Sequence, residues 1–166
     1  MRLFVAINFD EKIKAALSEV QDKMKLQGVR GDFTHPENLH LTLAFIGEYG
    51  DPDFVKEILE GIRLAPFEIS LEGMGSFGNL WWAGIRQSDR LDALARILRR
   101  RLAENDIPYD RKKFRPHVTL VRRPESRLTL SPGGYAEIIR GVSMTVDHIS
   151  LMRSDRGKNG MIYTEI

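Results

Sequence analysis

The chain has 166 residues, of which 42% are apolar and 29% are charged, the balance of a folded globular protein rather than of a disordered or membrane-embedded one. No apolar run approaches the roughly 20 residues that a membrane span needs. The absence of cysteine excludes disulfides, thiolate nucleophiles and cysteine-ligated metals, and with no signal peptide evident at the N-terminus a cytoplasmic location is expected.

The net charge of +2 is unevenly distributed along the chain. Residues 1–83 carry 8 basic and 13 acidic side chains (net −5), whereas residues 84–166 carry 17 and 10 (net +7). The basic half contains the runs "RILRRRL" and "DRKKFRPH". Such runs are typical of a solvated helix face and a charged loop, but clustered cations also attract a phosphate-bearing ligand. Both interpretations stay open.

The first half of the chain predicts two strands and two helices. Alternating apolar residues predict a strand over 2–9. Asp10 is positioned to cap a helix that ends before Gly28. The stretch "RGDFTHPE" predicts a loop, and a strand follows over 39–46. The pair Asp51-Pro52 then predicts the start of a second helix, which "GIRLAP" ends.

The second half predicts a similar succession. "FEISLEGMG" and "LWWAGIRQ" predict two strands joined by the turn "GSFGN". Ser88 is positioned to cap a third helix, and the loop "IPYDRKKFRP" leads into the strand "HVTLVR". The segment 124–140 predicts no clear element. "VSMTVDHISLMRS" predicts one long strand with a bulge at Asp147 or His148, and "GMIYTEI" a closing strand.

The chain therefore contains strand, helix and histidine-bearing strand twice. The two histidines lie in different halves, in "HLTL" at 40–43 and "HVTL" at 117–120. This layout predicts a single α+β domain over residues 1–166, made of two related lobes that each contribute one strand to a shared cleft.

Side-chain alternation on a strand shows what the repeated motif can present. Successive residues point to opposite faces, so His40 and Thr42 share one face while the neighbouring leucines anchor the other. His117 and Thr119 share a face in the same way. One His-x-Thr would be typical of an ordinary half-exposed strand, but two copies with apolar residues between them indicate a common site.

Two imidazoles suit acid–base chemistry at neutral pH. With an ordinary pKa near 6.5, one ring can accept a proton while the other donates one. Each partner contributes typically about 10²- to 10⁴-fold to a displacement reaction. A threonine hydroxyl donates a hydrogen bond to an oxyanion. The motif pair therefore indicates in-line displacement at phosphorus, which fits the basic half.

Neither a metal nor a cofactor is expected. His35 and His40 are five residues apart with Pro36 between them, and no His-Glu-x-x-His motif or acidic triad accompanies them. His35 is predicted in the loop before the strand and His148 at the bulge. The glycine-rich "GMGSFGN" lacks Gly-Lys-Ser/Thr and the dinucleotide fingerprint, so it is interpreted as a hairpin turn.

The stretches "HLTLAFIG" and "PHVTLVR" resemble the two-histidine (2H) phosphoesterase superfamily, specifically the bacterial and archaeal RNA 2′,3′-cyclic phosphodiesterases, also called 2′-5′ RNA ligase-like proteins. The resemblance extends to "RLFVAINF", "PENLHLTL", "KFRPHVTLVR" and "SLMRSDRGKNGMIYTEI". It implies a bilobal, pseudo-symmetric α+β fold with antiparallel sheets flanked by helices around a central cleft. It also implies metal-free hydrolysis of a terminal 2′,3′-cyclic phosphate to a 2′-phosphomonoester.

The resemblance also implies residue roles. His40 corresponds to the proton donor to the departing 3′ oxygen and His117 to the proton acceptor that activates water. Thr42 and Thr119 correspond to residues that hold the phosphate oxygens. Arg122 corresponds to an arginine that neutralises the phosphate, yet strict alternation places it on the face away from His117. It reaches the cleft only if the strand twists, bulges or ends near Val121.

Two positions depart from the family pattern. The family often has lysine where this chain has Ala44, and often tryptophan where it has Phe33. The first departure removes a possible cation, and the second alters contacts to the nucleoside.

The expected partners are RNA ends or nucleotides with a 2′,3′-cyclic phosphate, handled by a monomer. Sequence gives no substrate orientation, so the acid and base labels of the two histidines can be exchanged. The reverse reaction, 2′-5′ RNA ligation, is open to the same site. An alternative from another class is a non-catalytic RNA-binding module that uses the basic half and exposed Trp81 or Trp82.

Overall fold

The computed structural model describes residues 1–166. Its elements are, in chain order, β1 (Arg2–Asn8), α1 (Glu11–Leu26), β2 (Arg30–Phe33), β3 (His40–Glu48), α2 (Pro52–Glu60), β4 (Phe67–Phe77), β5 (Leu80–Ile85), α3 (Asp89–Glu104), β6 (His117–Glu125), α4 (Ala136–Ile139), β7 (Ser143–Val146), β8 (Ser150–Gly157) and β9 (Gly160–Glu165). Short 3₁₀ turns lie at Pro36–Asn38 and Pro132–Tyr135. None of the helices has the length and apolar character that a membrane span requires.

The three longer helices begin where the sequence predicts. The side chains of Asp10, Asp51 and Ser88 accept hydrogen bonds from backbone N–H groups three residues further on. Each such cap satisfies a donor that the first helical turn leaves free, and contributes about 1 kcal/mol.

Two antiparallel sheets form the body of the fold, with strand orders β3-β1-β8-β9 and β2-β6-β5-β4-β7. The sheets exchange strands: β2 comes from the first half of the chain but pairs with β6, while β8 and β9 come from the C-terminus and join β1. His40 begins β3 in one sheet and His117 begins β6 in the other. The strands β3 and β6 lie next to each other, so the two histidine motifs meet at the junction of the sheets. The predicted α+β fold with antiparallel sheets is confirmed.

One apolar core extends across both sheets and under α1 and α3. It includes Leu17 of α1, Leu41 and Leu43 of β3, Leu98 of α3 and Leu120 of β6, all fully buried. A smaller cluster of Phe4, Ala6 and Met152 lies apart from this core and packs against Phe45 and Tyr163. Strand β1 is therefore buried on both faces and holds the first sheet against the helices.

The loop predicted for "RGDFTHPE" is wrong in its first part, because Arg30–Phe33 forms β2 and pairs with β6. The strand escapes detection because it has four residues, none of them fully buried, and its register shifts between Arg30 and Asp32. Gly31 allows this irregularity: it has φ +155°, and a Cβ there would lie 2.8 Å from the carbonyl oxygen of Arg122.

The single long strand predicted over "VSMTVDHISLMRS" is also wrong. Strand β7 pairs with β4 in the second sheet, whereas β8 pairs with β1 in the first. The chain crosses between the sheets at Asp147–Ile149, which explains the change of apolar parity without a bulge. Asp147 and His148 are exposed in this crossing.

Two further segments differ in detail from the prediction. Strand β4 continues to Phe77, so Gly78 and Asn79 alone turn the hairpin instead of the whole of "GSFGN". Within the unassigned segment 124–140, β6 ends at Glu125 and α4 occupies Ala136–Ile139. Buried Tyr135 anchors this region through a hydrogen bond from its hydroxyl to the side chain of Gln27.

The hairpin of β4 and β5 depends on a glycine, which gives a first prediction. A Cβ at Gly75 would lie 2.4 Å from Cζ2 of Trp82, and that indole already packs against Phe77 at 5.0 Å between ring centroids. We expect Gly75→Ala to lower the free energy of unfolding by about 1–3 kcal/mol, the usual cost of overpacking.

Chemical denaturation measures this loss, and Gly133→Ala is the matched control because a Cβ there meets nothing within 4 Å. The control should unfold at the wild-type denaturant concentration or slightly above it. Coinciding unfolding midpoints for Gly75→Ala and the wild type would contradict the packing argument.

Candidate active site

His40 is held by two hydrogen bonds at the start of β3. Its Nδ1 lies 2.6 Å from the backbone carbonyl oxygen of Asn38, and its Nε2 lies 2.8 Å from Oγ1 of Thr42. A carbonyl oxygen can only accept, so Nδ1 carries a proton. In the neutral ring Nε2 is then the acceptor, and the Thr42 hydroxyl donates to it.

His117 is anchored by the same device at the start of β6. Its Nδ1 lies 2.6 Å from the backbone carbonyl oxygen of Arg115, again two residues upstream. Nδ1 therefore donates, and the lone pair is on Nε2. The two motifs thus fix the same tautomer in both imidazoles and leave Nε2 as the reactive nitrogen of each.

Aromatic side chains support both imidazoles. The ring of His40 packs against Phe4 and Tyr163, with centroid distances of 4.9 and 5.2 Å. The ring of His117 meets Phe77 edge-on at 5.1 Å, and Phe77 rests on Trp82. His40 is therefore enclosed by two aromatic rings, whereas His117 is supported by one.

A β-bulge follows each histidine–threonine pair. In β3, Ala44 and Thr42 pair with consecutive residues of β1, so Leu43 has no partner of its own. In β6, Val121 and Thr119 pair with consecutive residues of β5, which leaves Leu120 without one. The unpaired residue of each bulge and the residue after it are fully buried: Leu43 and Ala44 in β3, and Leu120 and Val121 in β6.

The bulge in β6 decides the position of Arg122. Because Leu120 and Val121 both face the core, the alternation shifts by one residue, and Arg122 comes to the same face as His117 and Thr119. Its side chain is exposed there, and its charge acts on His40. The strand therefore bulges before Val121, the condition under which Arg122 turns toward the cleft, and the contact of Arg122 with a phosphate stays a prediction.

The structure also places the two residues that depart from the family pattern, Ala44 and Phe33. Ala44 is fully buried on the core face of β3, so a residue at this position does not point toward Thr42 and the cleft. Phe33 packs against the core, and the ammonium group of Lys25 lies 4.8 Å from the centroid of its ring.

Thr42 and His117 of the two motifs line a cavity of about 620 Å³ between the two sheets, whereas His40, Thr119 and Arg122 are not part of its lining. Thr42 and Phe45 of β3 form one wall, and Phe77 and His117 form the other. The loop between α3 and β6 closes one side with Asp110, Lys112, Lys113, Phe114 and Arg115, and Arg99 of α3 lies beneath it. His35 and His148 line no part of this cleft: Nε2 of His35 lies 2.9 Å from the carbonyl oxygen of Asn159, and His148 pairs with Asp147.

The environment of His40 disfavours its charged form. Burial is the main cause that lowers the pKa of His40, and the positive charges of His117 and Arg122 lower it further. The hydrogen bond to the Asn38 carbonyl acts in the opposite direction without cancelling these effects. In the free protein His40 is therefore neutral at pH 7.

Sequence reasoning missed the aromatic residues around His40. Phe4 lies on the outer face of β1, and Tyr163 is on β9. The sequence does contain a pattern that could have identified Phe4. One face of β1 is already apolar, and Phe4 and Ala6 make the second face apolar too, which indicates that the strand is buried on both sides. No local pattern brings the C-terminal Tyr163 to His40, since that proximity depends on the pairing of β8 with β1.

Comparison with known proteins gives matches over nearly the whole chain. The family model of the 2′-5′ RNA ligase superfamily matches residues 9–158. An RNA 2′,3′-cyclic phosphodiesterase from Methanothermobacter thermautotrophicus is 32% identical over 100% of this chain and 96% of its own length. A protein of the same name from Thermus thermophilus is 33% identical over 99% of this chain and 87% of its own. The crystal structure of E. coli LigT complexed with 3′-AMP superposes with a TM-score of 0.83 at 29% identity, covering 99% of this chain and 94% of LigT.

The lowered pKa of His40 gives a second prediction. In the free protein the imidazole of His40 should titrate below the ordinary value of about 6.5. An anion in the cleft places negative charge beside the ring and stabilises the imidazolium, so inorganic phosphate or a nucleoside 2′-monophosphate should raise the pKa.

NMR titration of the histidine ring protons, with His40 assigned through His40→Gln, checks both shifts. The exposed His148 serves as the internal control, because its imidazole lies outside the cleft and makes no contact with an anion bound there. A His40 that titrates above 6.5 without any anion would contradict the effect of burial.

Proposed function

The chain belongs to the 2′-5′ RNA ligase superfamily, and from this premise we propose that it is an enzyme that hydrolyses RNA 2′,3′-cyclic phosphodiester ends to 2′-phosphomonoesters. The observation that carries the proposal is the pair of identically anchored imidazoles, His40 and His117, on adjacent strands of two different sheets. Two relatives of this chain carry the name RNA 2′,3′-cyclic phosphodiesterase, which supports the proposal.

The reaction is an in-line displacement at phosphorus. Nε2 of His117 takes a proton from water while the water oxygen forms a bond to phosphorus. The bond between phosphorus and the 3′ oxygen breaks, and that oxygen receives the proton of His40. The products are a 2′-phosphomonoester and a free 3′-hydroxyl group, and proton exchange with solvent restores both imidazoles.

The remaining motif residues bind the phosphate. Thr42 and Thr119 donate hydrogen bonds to its non-bridging oxygens, and the guanidinium of Arg122 neutralises the negative charge. The position of Arg122 on the same face as His117 supports this role. Both reacting groups are imidazoles, so the mechanism uses no metal.

The role of His40 as proton donor requires that substrate binding charges its ring. A neutral His40 in the free protein suits a base better than an acid. The negative charge of the cyclic phosphate reverses this preference because it stabilises the imidazolium and offsets the repulsion from Arg122. Substrate orientation therefore assigns the two roles, and a phosphate whose 3′ oxygen faces β3 makes His40 the acid.

One chain supplies the whole cleft, so we propose that a monomer is the working form. The exchange of β2 and of β8–β9 between the sheets supports a single domain of two interleaved lobes rather than two separable ones. We also propose a cytoplasmic location, which an RNA substrate supports.

Ligation is the second candidate activity, since the family model bears the name of an RNA ligase. The attack of an RNA 5′-hydroxyl in place of water forms a 2′-5′ phosphodiester through the same transition state with the same two histidines. Incubation with tRNA halves separates the activities, because ligation yields a longer RNA, whereas hydrolysis leaves the length of the RNA unchanged and converts its cyclic end to a phosphomonoester.

A purely RNA-binding role accounts for fewer of the observations. Trp81 and Trp82 are half-buried, and the indole N–H of Trp82 is enclosed by protein, so neither offers an open stacking face. A binding module also has no need of two imidazoles with matched tautomers.

The third prediction tests the reaction directly. With chelator present, the wild type should convert nucleoside 2′,3′-cyclic phosphates to 2′-phosphomonoesters, identified by chromatography. His40→Ala and His117→Ala should each lower kcat by about 10²- to 10⁴-fold, the usual contribution of a general acid or base.

Circular dichroism establishes that the variants fold, and His148→Ala is the matched control because that imidazole lies outside the cleft. The control should retain wild-type turnover. Retained turnover in both active-site variants would falsify the two-histidine mechanism, and unchanged RNA ends with the wild type would leave only the binding role.

The fourth prediction uses two adjacent arginines. Arg122 is exposed on the cleft face of β6, whereas the neighbouring Arg123 forms an ion pair with Asp32. Arg122→Gln should lower kcat/KM by about ten- to a hundredfold, as expected when a hydrogen bond to a charged group is lost. Arg123→Gln should leave kcat/KM within about twofold, because exposed ion pairs contribute little. Steady-state assays compare the two, and equal effects would argue against a contact between Arg122 and the phosphate.

A further inference from the structure

A second cavity of about 650 Å³ adjoins the catalytic cleft. The two cavities share Arg99, Lys113 and Phe114 in their walls. The second one extends from this shared wall along the surface of α3. We call the surface that lines both cavities on this side the basic groove, defined by Arg96, Arg99, Arg100, Lys112, Lys113 and Arg115.

The cations of the basic groove have no acidic partners. None of the six forms an ion pair with a carboxylate. The acidic residues in the two cavities are Asp92, which accepts a hydrogen bond from Gln87, and Asp110, which accepts one from the backbone N–H of Lys112. Because the cations outnumber them, this side of the molecule carries a net positive charge that is free to meet anions.

Arg99 makes the groove a built surface rather than a set of independent side chains. Its Nε donates to the carbonyl oxygen of Leu43 at 3.2 Å, and its Nη1 donates to that of Lys112 at 2.7 Å. The guanidinium also lies near the rings of Tyr109 and Phe114, at 5.9 and 5.5 Å. One side chain therefore links α3, the residue after Thr42 on β3, and the loop that leads to His117.

Aromatic residues alternate with these cations. Phe114 lies in the wall that both cavities share, and Phe45 and Phe77 line the catalytic end. The guanidinium of Arg115 lies 5.9 Å from the ring of Phe77. Cations that track a phosphate backbone, interspersed with aromatic faces, are the composition that binds single-stranded nucleic acid.

Two further cavities of the protein differ in charge. The cavity between α2 and the crossing from β7 to β8 is lined by Glu60, Asp147 and Glu165 as well as Lys56. A second one along α2 is lined by four carboxylates and a single lysine. In contrast to these two cavities, the groove that opens from the catalytic cleft is basic, so it offers an electrostatically favourable path to an RNA strand attached to a bound 3′ end.

We propose that the basic groove binds the RNA strand on the 5′ side of the cyclic phosphate, so that the preferred substrates are oligoribonucleotides rather than nucleoside cyclic phosphates. This inference rests on the proposed function, since the cyclic phosphate must occupy the cleft for the strand to enter the groove. The phosphodiesters that precede the terminal nucleotide then meet Arg96 and Arg100 on α3 and Lys112 and Lys113 on the loop.

The experiment compares an oligoribonucleotide that ends in a 2′,3′-cyclic phosphate with the nucleoside cyclic phosphate of the same base. The variant is Arg96→Gln combined with Arg100→Gln, since both side chains are exposed and line only the second cavity. The matched control is Arg101→Gln on the same helix, whose guanidinium lies beside Gly61 and lines neither cavity.

The wild type should show a higher kcat/KM for the oligoribonucleotide. In the double variant, kcat/KM for the oligoribonucleotide should fall about tenfold. The slope of log kcat/KM against log salt concentration should become shallower by about 1.4, since two contacts are lost and each contact to a single-stranded phosphate contributes about 0.7 to the slope. Hydrolysis of the nucleoside cyclic phosphate should stay within about twofold of the wild type, because these two arginines lie outside the catalytic cavity. Arg101→Gln should leave kcat/KM unchanged for both substrates.

Binding of a fluorescent oligoribonucleotide with a 2′-phosphate end, followed by anisotropy, gives a readout that needs no turnover. Weaker binding and a shallower salt dependence in the double variant support the groove whatever the catalytic result. Equal binding and equal turnover of the oligoribonucleotide by the double variant and the wild type would overturn it. If the wild type hydrolyses the nucleoside cyclic phosphate in that case, the proposed function stands and only the proposed role of the basic groove is wrong. If the wild type hydrolyses neither substrate, the proposed function itself is contradicted.

Discussion

The hydrogen bond from each imidazole Nδ1 to a backbone carbonyl two residues upstream is the constraint on which the rest of the site depends. It fixes the tautomer and leaves Nε2 of His40 and His117 for chemistry. Each carbonyl is in turn held by distant parts of the chain. The side chain of Asn38 donates to the carbonyl oxygen of Met161 on β9, and the loop before His117 is fastened by Arg99 and by a backbone hydrogen bond from Asp110 to Phe45. The exchange of strands between the sheets therefore contributes directly to the orientation of the two rings.

The two halves use the same motif to build unlike surroundings. In β3 and in β6 the bulge falls three residues after the histidine, so the fifth residue after it returns to the cleft face. That residue is Phe45 in one strand and Arg122 in the other. His40 is enclosed by Phe4 and Tyr163, whereas His117 meets Phe77 alone. The repeated motif thus forms an apolar wall on β3 and a cationic wall on β6. Because the two walls differ, a phosphate bound between them is expected to adopt one orientation relative to the two strands.

Local patterns in the sequence predict the parts of the fold that local energetics determine. The capped helices after Asp10, Asp51 and Ser88 and the alternating strands β1 and β3 appear where the sequence indicates them. The short strand β2 and the separation of β7 from β8 depend on partners far along the chain, because β2 is stabilised by β6 and the crossing at Asp147–Ile149 has no local signature. The histidine and threonine positions follow from alternation, but the face of Arg122 depends on a bulge that only the pairing of β5 with β6 reveals.

The low pKa of His40 makes its charge conditional on the ligand. Imidazolium at His40 would add positive charge to a partly buried site that already contains the guanidinium of Arg122 and the ring of His117. With no anion present, the cost of burying that charge exceeds the stabilisation from the Asn38 carbonyl, so the ring stays neutral. A cyclic phosphate supplies the missing negative charge at the point where the three groups converge. Substrate binding and proton uptake are then coupled by linkage: the factor by which bound phosphate raises the affinity of His40 for its proton equals the factor by which protonation of His40 raises the affinity of the site for phosphate. Burial of His40 therefore does not oppose its role as an acid: it restricts that role to the complex in which a leaving oxygen is present to receive the proton.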